Sequence, residues 1–279
     1  MGFLYVIAAS ILFGIFPSIQ KSVMAAGATP IALVIICNGV AGLLSLCVSL
    51  AQRKDIRVTR KQLASLLLIG VIGLFTTDFL LNIAYTLIPV GYVTMIHFLY
   101  PTLVCAAMSA FFHEKLTRQK IFAVILSVSG LALLAGGSFS GSVLGIAVAA
   151  ATAFSYSFYM IATDRTAARE VDPLVRVFYT NMSVTAAGLV CSVKMAAVFP
   201  AAAVSWLDCF IIGAMLCAAI FLINAGVKKI GAGAASFINM TEPVTSLVVS
   251  ALVYRYALTP MALAGCALIV GSLFFAAKS

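Results

Sequence analysis

Long apolar stretches alternate with short polar connections along almost the whole chain. Ten such stretches run at about 2–24, 29–51, 63–87, 90–112, 118–137, 142–163, 173–195, 205–227, 231–254 and 259–277. A helix that crosses a bilayer needs ~20 apolar residues, and each stretch approaches that length. Polar residues inside them recur at helical spacing: Asp78, Asn82 and Tyr85 in the third, and Thr152, Tyr156, Tyr159 and Thr163 in the sixth. The pattern predicts an all-α integral membrane protein with ten transmembrane helices and no sizeable soluble domain. No Lys or Arg precedes the first stretch, which is long enough to span, so a retained first helix is expected rather than a cleaved signal.

Two segments read as copies of one another. Gly91 to Pro101 and Gly233 to Pro243 align 142 positions apart. In the same register Asn82 meets Asn224, Leu116 meets Leu258 and Thr117 meets Thr259; one residue out of register, Asn38 meets Asn181. The chain therefore divides into two five-helix halves, 1–140 and 141–279. Five is odd, so the second half enters the membrane from the opposite side. Charge agrees: the connection after the second stretch carries Arg53, Lys54, Arg57, Arg60 and Lys61, and its counterpart after the seventh has Lys194 and Asp208. The expected architecture is two inverted five-helix repeats around a central cavity, a frame suited to alternating access.

Composition narrows the setting. Hydrophobic residues are 63% of the chain and charged residues 9%, with a mean hydropathy of +1.17, which places the chain in lipid. The net charge of +9 invites a nucleic-acid reading, but its distribution argues against one. With the N-terminus inside, fourteen Lys and Arg fall on the cytoplasmic side, against Lys21, Lys194 and Arg255 outside. That bias predicts cytoplasmic termini in a plasma or inner membrane, with the basic residues at anionic headgroups. Seven cysteines without a Cys-x-x-Cys pair read as small packing residues. No metal cluster and no cofactor are expected.

Intramembrane polar groups supply the candidate chemistry. An ionised carboxylate facing lipid is costly, so Asp78 should face the interior, with Asn82 and Tyr85 on the same stripe. Counting from the outer end, Asp78 lies ~15 Å deep and His97 ~10 Å deep, and the two are expected to share a proton or hydrogen bond. Glu242 precedes Pro243; the proline removes a backbone donor and should free a carbonyl beside the carboxylate. Tyr156 and Tyr159 offer an aromatic face opposite Ser10, Gly14, Pro17 and Lys21 of the first stretch. Asn38 and Asn181 suggest a shared structural role, and Asn239, which matches His97, is the better site candidate. For each of these groups the alternative is a satisfied helix contact. Small-residue rows such as Ala123, Ser127 and Gly130 predict close packing, and Trp206 an interfacial anchor.

The residues that close each half carry a resemblance. They are Tyr100-Pro101, His113-Glu114-Lys115-Leu116-Thr117 and Ser129-Gly130-Leu131 in the first, and Glu242-Pro243, Arg255-Tyr256-Ala257-Leu258-Thr259 and Gly271 in the second. In these the chain resembles the drug/metabolite transporter superfamily, in its ten-helix EamA-type branch. The resemblance implies prolines in the fourth and ninth helices, here Pro101 and Pro243 as kinks, and a Glu-x-Leu-Thr-like turn before the fifth and tenth. Tyr256 stands where the second turn would have Glu, and His97 and Asp78 are unusual additions.

The expected function is secondary transport, as exporter or exchanger, of a small metabolite such as an amino acid or amine. There is no phosphate-binding loop for ATP. A proton gradient is the natural drive, with Asp78 or Glu242 as carrier, and facilitated exchange is the alternative. Basic residues sit at helix ends rather than mid-membrane, which ranks phosphate-bearing solutes low. A membrane sensor or scaffold, or an intramembrane enzyme, are the rival classes; no nucleophile–base arrangement supports the last.

Overall fold

The computed structural model describes residues 1–88, 90–115, 117–135, 142–254 and 259–277, and among them the only regular structure is helical. The order is α1 (Gly2–Ala25), α2 (Pro30–Ala51), α3 (Arg60–Leu68), a π-helical stretch (Ile69–Phe75), α4 (Thr76–Leu87), α5 (Val90–His97), α6 (Tyr100–Phe112) and α7 (Arg118–Ala135). Then come α8 (Val143–Arg165), a 3-10 turn (Ala167–Glu170), α9 (Pro173–Ser192), α10 (Ala203–Ile238), α11 (Thr241–Tyr254) and α12 (Pro260–Ala277). Among the described residues six helical segments are long and apolar enough to cross a membrane: Pro30–Ala51, Arg60–Leu87, Tyr92–Phe112, Val143–Arg165, Pro173–Ser192 and Ala203–Ile238. Gly2–Ile15 and Pro260–Ser272 are shorter apolar stretches.

Local chemistry starts several of these helices. Thr59 and Gln62 form a capping box on α3, and Asp172 accepts the Leu174 N–H at 2.9 Å with Pro173 opening α9. Ser142 accepts the Gly145 N–H to start α8.

Where uninterrupted stretches are expected, the structure shows breaks. The third stretch passes through the π-helical segment, which ends three residues before Asp78. The fourth is broken at Phe98–Leu99 and the ninth at Asn239–Met240, each ending shortly before its proline. The boundary expected between the eighth and ninth stretches shrinks to one residue: α10 runs through it, turning only at Gly231 (φ 79°, ψ 162°). That backbone region belongs essentially to glycine. The half-boundary near residue 140 and the second closing turn, Arg255 to Leu258, lie outside the described residues, as do Leu116 and the side chains of Pro17 and Lys21.

Packing follows a reciprocal scheme. α1 packs on α10 and α11, whereas α8 packs on α4, its π segment, α5 and α6. α2 lies against α9, and α7 against α12. The last crossing is close because Gly130 and Gly265 meet: a Cβ on either would stand 2.7 Å from the other's carbonyl oxygen, as small-residue packing requires. Trp206, half-exposed, donates its indole N–H to the Pro200 carbonyl at 2.8 Å.

Candidate functional site

A cavity of about 150 Å³ is lined by residues of α1, α2, α4, α5, α8, α10 and α11. α4 contributes Asp78 and Asn82, α8 contributes Tyr156 and Tyr159, and α11 contributes Glu242. Tyr85, 39% exposed, also lines it, and so does His97. From α1 the described lining residues are Phe13 and Gln20; of the face the sequence suggested, Ser10 bonds Asn239 and Gly14 packs on Thr245, and the side chains of Pro17 and Lys21 lie outside the described residues.

The π segment presents this wall. Its wider turn, with Gly73 pressed on α8, sets the register of α4. A Cβ at Gly73 would stand 2.9 Å from the Tyr159 Cβ. Thr77 donates to the Gly73 carbonyl at 2.6 Å and lies 2.7 Å from Ser155 Oγ, which knits α4 to α8. Interruptions of this kind gather at functional sites because they re-aim side chains.

The expected bond between Asp78 and His97 gives way to one between His97 and Thr152. His97 Nδ1 lies 3.0 Å from Thr152 Oγ1, whose own proton goes to the Ala149 carbonyl at 2.6 Å. Thr152 therefore accepts, His97 carries its proton on Nδ1, and Nε2 is left as an acceptor. Asp78 instead shares the cavity wall with Asn38. Asn38 donates to the Val34 carbonyl, as Asn181 does to Val177. The two asparagines share that back-bond, but only Asn38 reaches the cavity. Asn82 donates to the backbone carbonyl of Asp78 at 2.7 Å, so the polar stripe is bonded along its own helix.

Glu242 lies on the first turn of α11, not mid-helix. The carbonyl expected to be freed by Pro243 is that of Asn239, and it accepts the Glu242 N–H at 3.0 Å. Asn239 organises this break: its Nδ2 donates to Tyr100 Oη at 3.0 Å and Glu242 Oε2 at 3.3 Å, and its Oδ1 accepts from Ser10 at 2.8 Å. Asn239 is thus placed behind the cavity, holding Glu242. The equivalent break holds an aromatic cluster. Tyr100 and Tyr156 meet edge to face with centroids 4.6 Å apart, and His97 and Tyr159 each lie 5.3 Å from Tyr156. Tyr159 donates to Asn224 Oδ1 at 3.1 Å. Both prolines, Pro101 and Pro243, are buried just after the breaks.

A second cluster was not singled out from the sequence, where its basic members read as charges at headgroups. Asp164, at the end of α8, has a side chain only 1% exposed. It accepts the Ala232 N–H at 3.2 Å, capping the part of α10 that follows Gly231. Arg165 Nε lies 3.3 Å from one carboxylate oxygen and Arg169 Nη1 3.3 Å from the other. Arg165 also pairs with Glu114, which has Lys120 3.8 Å away. Arg176 is fully buried and donates to the carbonyls of Thr163, Arg169 and Val171. The signal that could have found this cluster is an Asp–Arg pair followed by two more arginines beside a Gly-rich helix junction. Among the described residues no three His, Cys, Asp or Glu converge as a metal site.

Comparison with known families matches the EamA-like transporter family, over residues 1–136 and 143–277. No curated protein matches. Twenty-nine solved chains do. One, described only as the crystal structure of a protein, is 22% identical with a TM-score of 0.86, covering 99% of this chain and 98% of that one. At that identity the likeness shows the fold alone.

Proposed function

From its membership of the EamA-like transporter family, which makes the chain a membrane transporter, we propose that it moves a small amine or amino acid by alternating access. The moving parts are two inverted five-helix halves, residues 1–140 and 141–279. The observation that carries this reading is the reciprocity of the packing. Exchanging the halves turns α1 on α10 and α11 into α8 on the α3–α4 and α5–α6 segments, and leaves α2 on α9 and α7 on α12 unchanged. A structure that maps onto itself in this way can exchange the conformations of its halves and expose one cavity to alternate sides. The matching helix breaks before Pro101 and Pro243 support the same reading, because broken helices border the cavity in both halves.

Asp78 and Glu242 are the carboxylates of the cavity lining, and they are the proposed carriers of a coupling proton. Each stands on a different half, so relative movement of the halves changes the surroundings of both. The test is reconstituted flux. Asp78→Asn and Glu242→Gln should each lower gradient-driven solute uptake into vesicles by about tenfold or more, the loss of one charge-assisted contact. They should also flatten its pH dependence while leaving protein in the membrane. Normal transport by both variants over a broad pH range would remove the carboxylates from the mechanism.

A further inference from the structure

We infer that the solute is an organic cation that donates hydrogen bonds, a primary ammonium or guanidinium on an apolar or aryl body, rather than a zwitterionic amino acid or a quaternary ammonium. The inference rests on the transporter reading above and names the substrate class of the same cavity.

The argument is an account of donors and acceptors. Among the described residues the ionisable groups that set the charge of the lining are the carboxyls of Asp78 and Glu242, and no described Lys or Arg side chain lines it. Several lining donors are already committed to protein. Thr77 gives its proton to Gly73, Tyr159 gives its proton to Asn224, and one amide hydrogen of Asn38 goes to Val34. One hydrogen of Asn82 goes to the Asp78 carbonyl. The atoms left over are acceptors: the carboxylate oxygens, Oδ1 of Asn38 and Asn82, and Nε2 of His97 in the tautomer that Thr152 imposes. Among the described residues the remaining donors are the hydroxyls of Tyr85 and Tyr156, the Gln20 amide and the second hydrogens of Asn38 and Asn82.

An acceptor-rich cavity with two carboxyl groups suits a cation with several N–H groups. A solute carboxylate would face two carboxyl groups with no cation among the described lining side chains, and neutral donors alone would not repay its desolvation. A quaternary ammonium gains from the ring faces of Tyr156 and Tyr159 but leaves the acceptors unpaired, which is the costly outcome in a buried site. The rings and the flanking Phe13 accommodate the apolar body.

The experiment compares four probes of one shape on the purified full-length protein by calorimetric binding at neutral pH: 2-phenylethylamine, its trimethylammonium analogue, phenylalanine and 3-phenylpropionate. Phenylethylamine should bind about tenfold or more tighter than each of the others, the scale of losing one charge-assisted bond. Asp78→Asn should abolish that preference, whereas Tyr156→Phe, which keeps the ring, should preserve the amine's lead over phenylalanine. Tightest binding by phenylalanine or phenylpropionate overturns the inference and leaves the transporter reading standing. Equal binding of the primary and quaternary amines also overturns it, as does the absence of binding by phenylethylamine, agmatine and a short diamine alike. If the amine binds best but vesicles carrying the protein never move it, the transporter reading falls instead.

Discussion

His97 and Asn239 stand 142 positions apart, matched in the alignment of the two sequence segments, and the fold uses them differently. Asn239 has both amide hydrogens and its oxygen engaged, on Tyr100, Glu242 and Ser10. His97 has one nitrogen tied to Thr152 and the other available to the cavity. The sequence placed both among the candidates because polar groups in apolar helices are rare; it did not reveal which had valence to spare. Thr152→Val tests the tautomer argument. It removes the acceptor of a buried N–H, so stability in detergent should fall by about 1–3 kcal/mol, read as a lower midpoint of thermal unfolding, and solute affinity should fall with it. Outside the membrane spans, Asp172 gives a pH signature. Partial burial pushes its carboxyl upward, but the Lys54 ammonium at 2.9 Å and the N–H groups of α9 outweigh that and hold it below its ordinary value of 3.8. A depressed carboxylate contributes stability that is fully present above its unfolded pKa and is lost as pH falls through the folded one. Asp172→Asn should therefore flatten the acid limb of a stability–pH curve below about pH 4, with little effect at neutral pH beyond a partly exposed pair.

α10 is the element in which local pattern and tertiary structure part company. Apolar periodicity predicts two helices with a connection after residue 227, and the chain instead turns at one glycine. Gly231 has a backbone no other residue adopts cheaply, and Asp164 from α8 caps the helix that resumes at Ala232. Gly231→Ala should cost about 1–3 kcal/mol of stability. Asp164→Asn should cost less than Asp164→Leu, because the amide oxygen still accepts the Ala232 N–H while the ion pairs to Arg165 and Arg169 are lost. Thermal unfolding of the three purified variants orders these effects; equal losses for Asn and Leu would mean that the cap contributes nothing. The prolines illustrate the reverse case. Their effect on helices four and nine was legible, since a proline lacks the donor and crowds the preceding turn. The exact place of each break, and the re-use of the Asn239 carbonyl by Glu242, depend on neighbours in other helices.

For the whole molecule, the charge ledger predicts that both ends of the chain face the cytoplasm. A reporter enzyme fused at the C-terminus should be active only inside; an external C-terminus would break the ten-helix inverted arrangement. The sequence by itself determined that this is a helical membrane protein; it pointed to two related halves and marked the prolines near which helices would be interrupted. Those properties follow from hydropathy, charge and the missing proline N–H, which are carried by the chain locally. Tertiary structure alone decided that His97 bonds Thr152 rather than Asp78, that Asn239 lies behind the cavity, and that Asp164 joins Arg165 and Arg169 against α10. Each depends on which helix faces stand opposite one another. That is set by close approaches such as Gly73 on Tyr159 and Gly130 on Gly265, between residues far apart in the chain. Hydropathy is nearly uniform around such helices, so the pattern that reveals a span does not reveal which face turns inward.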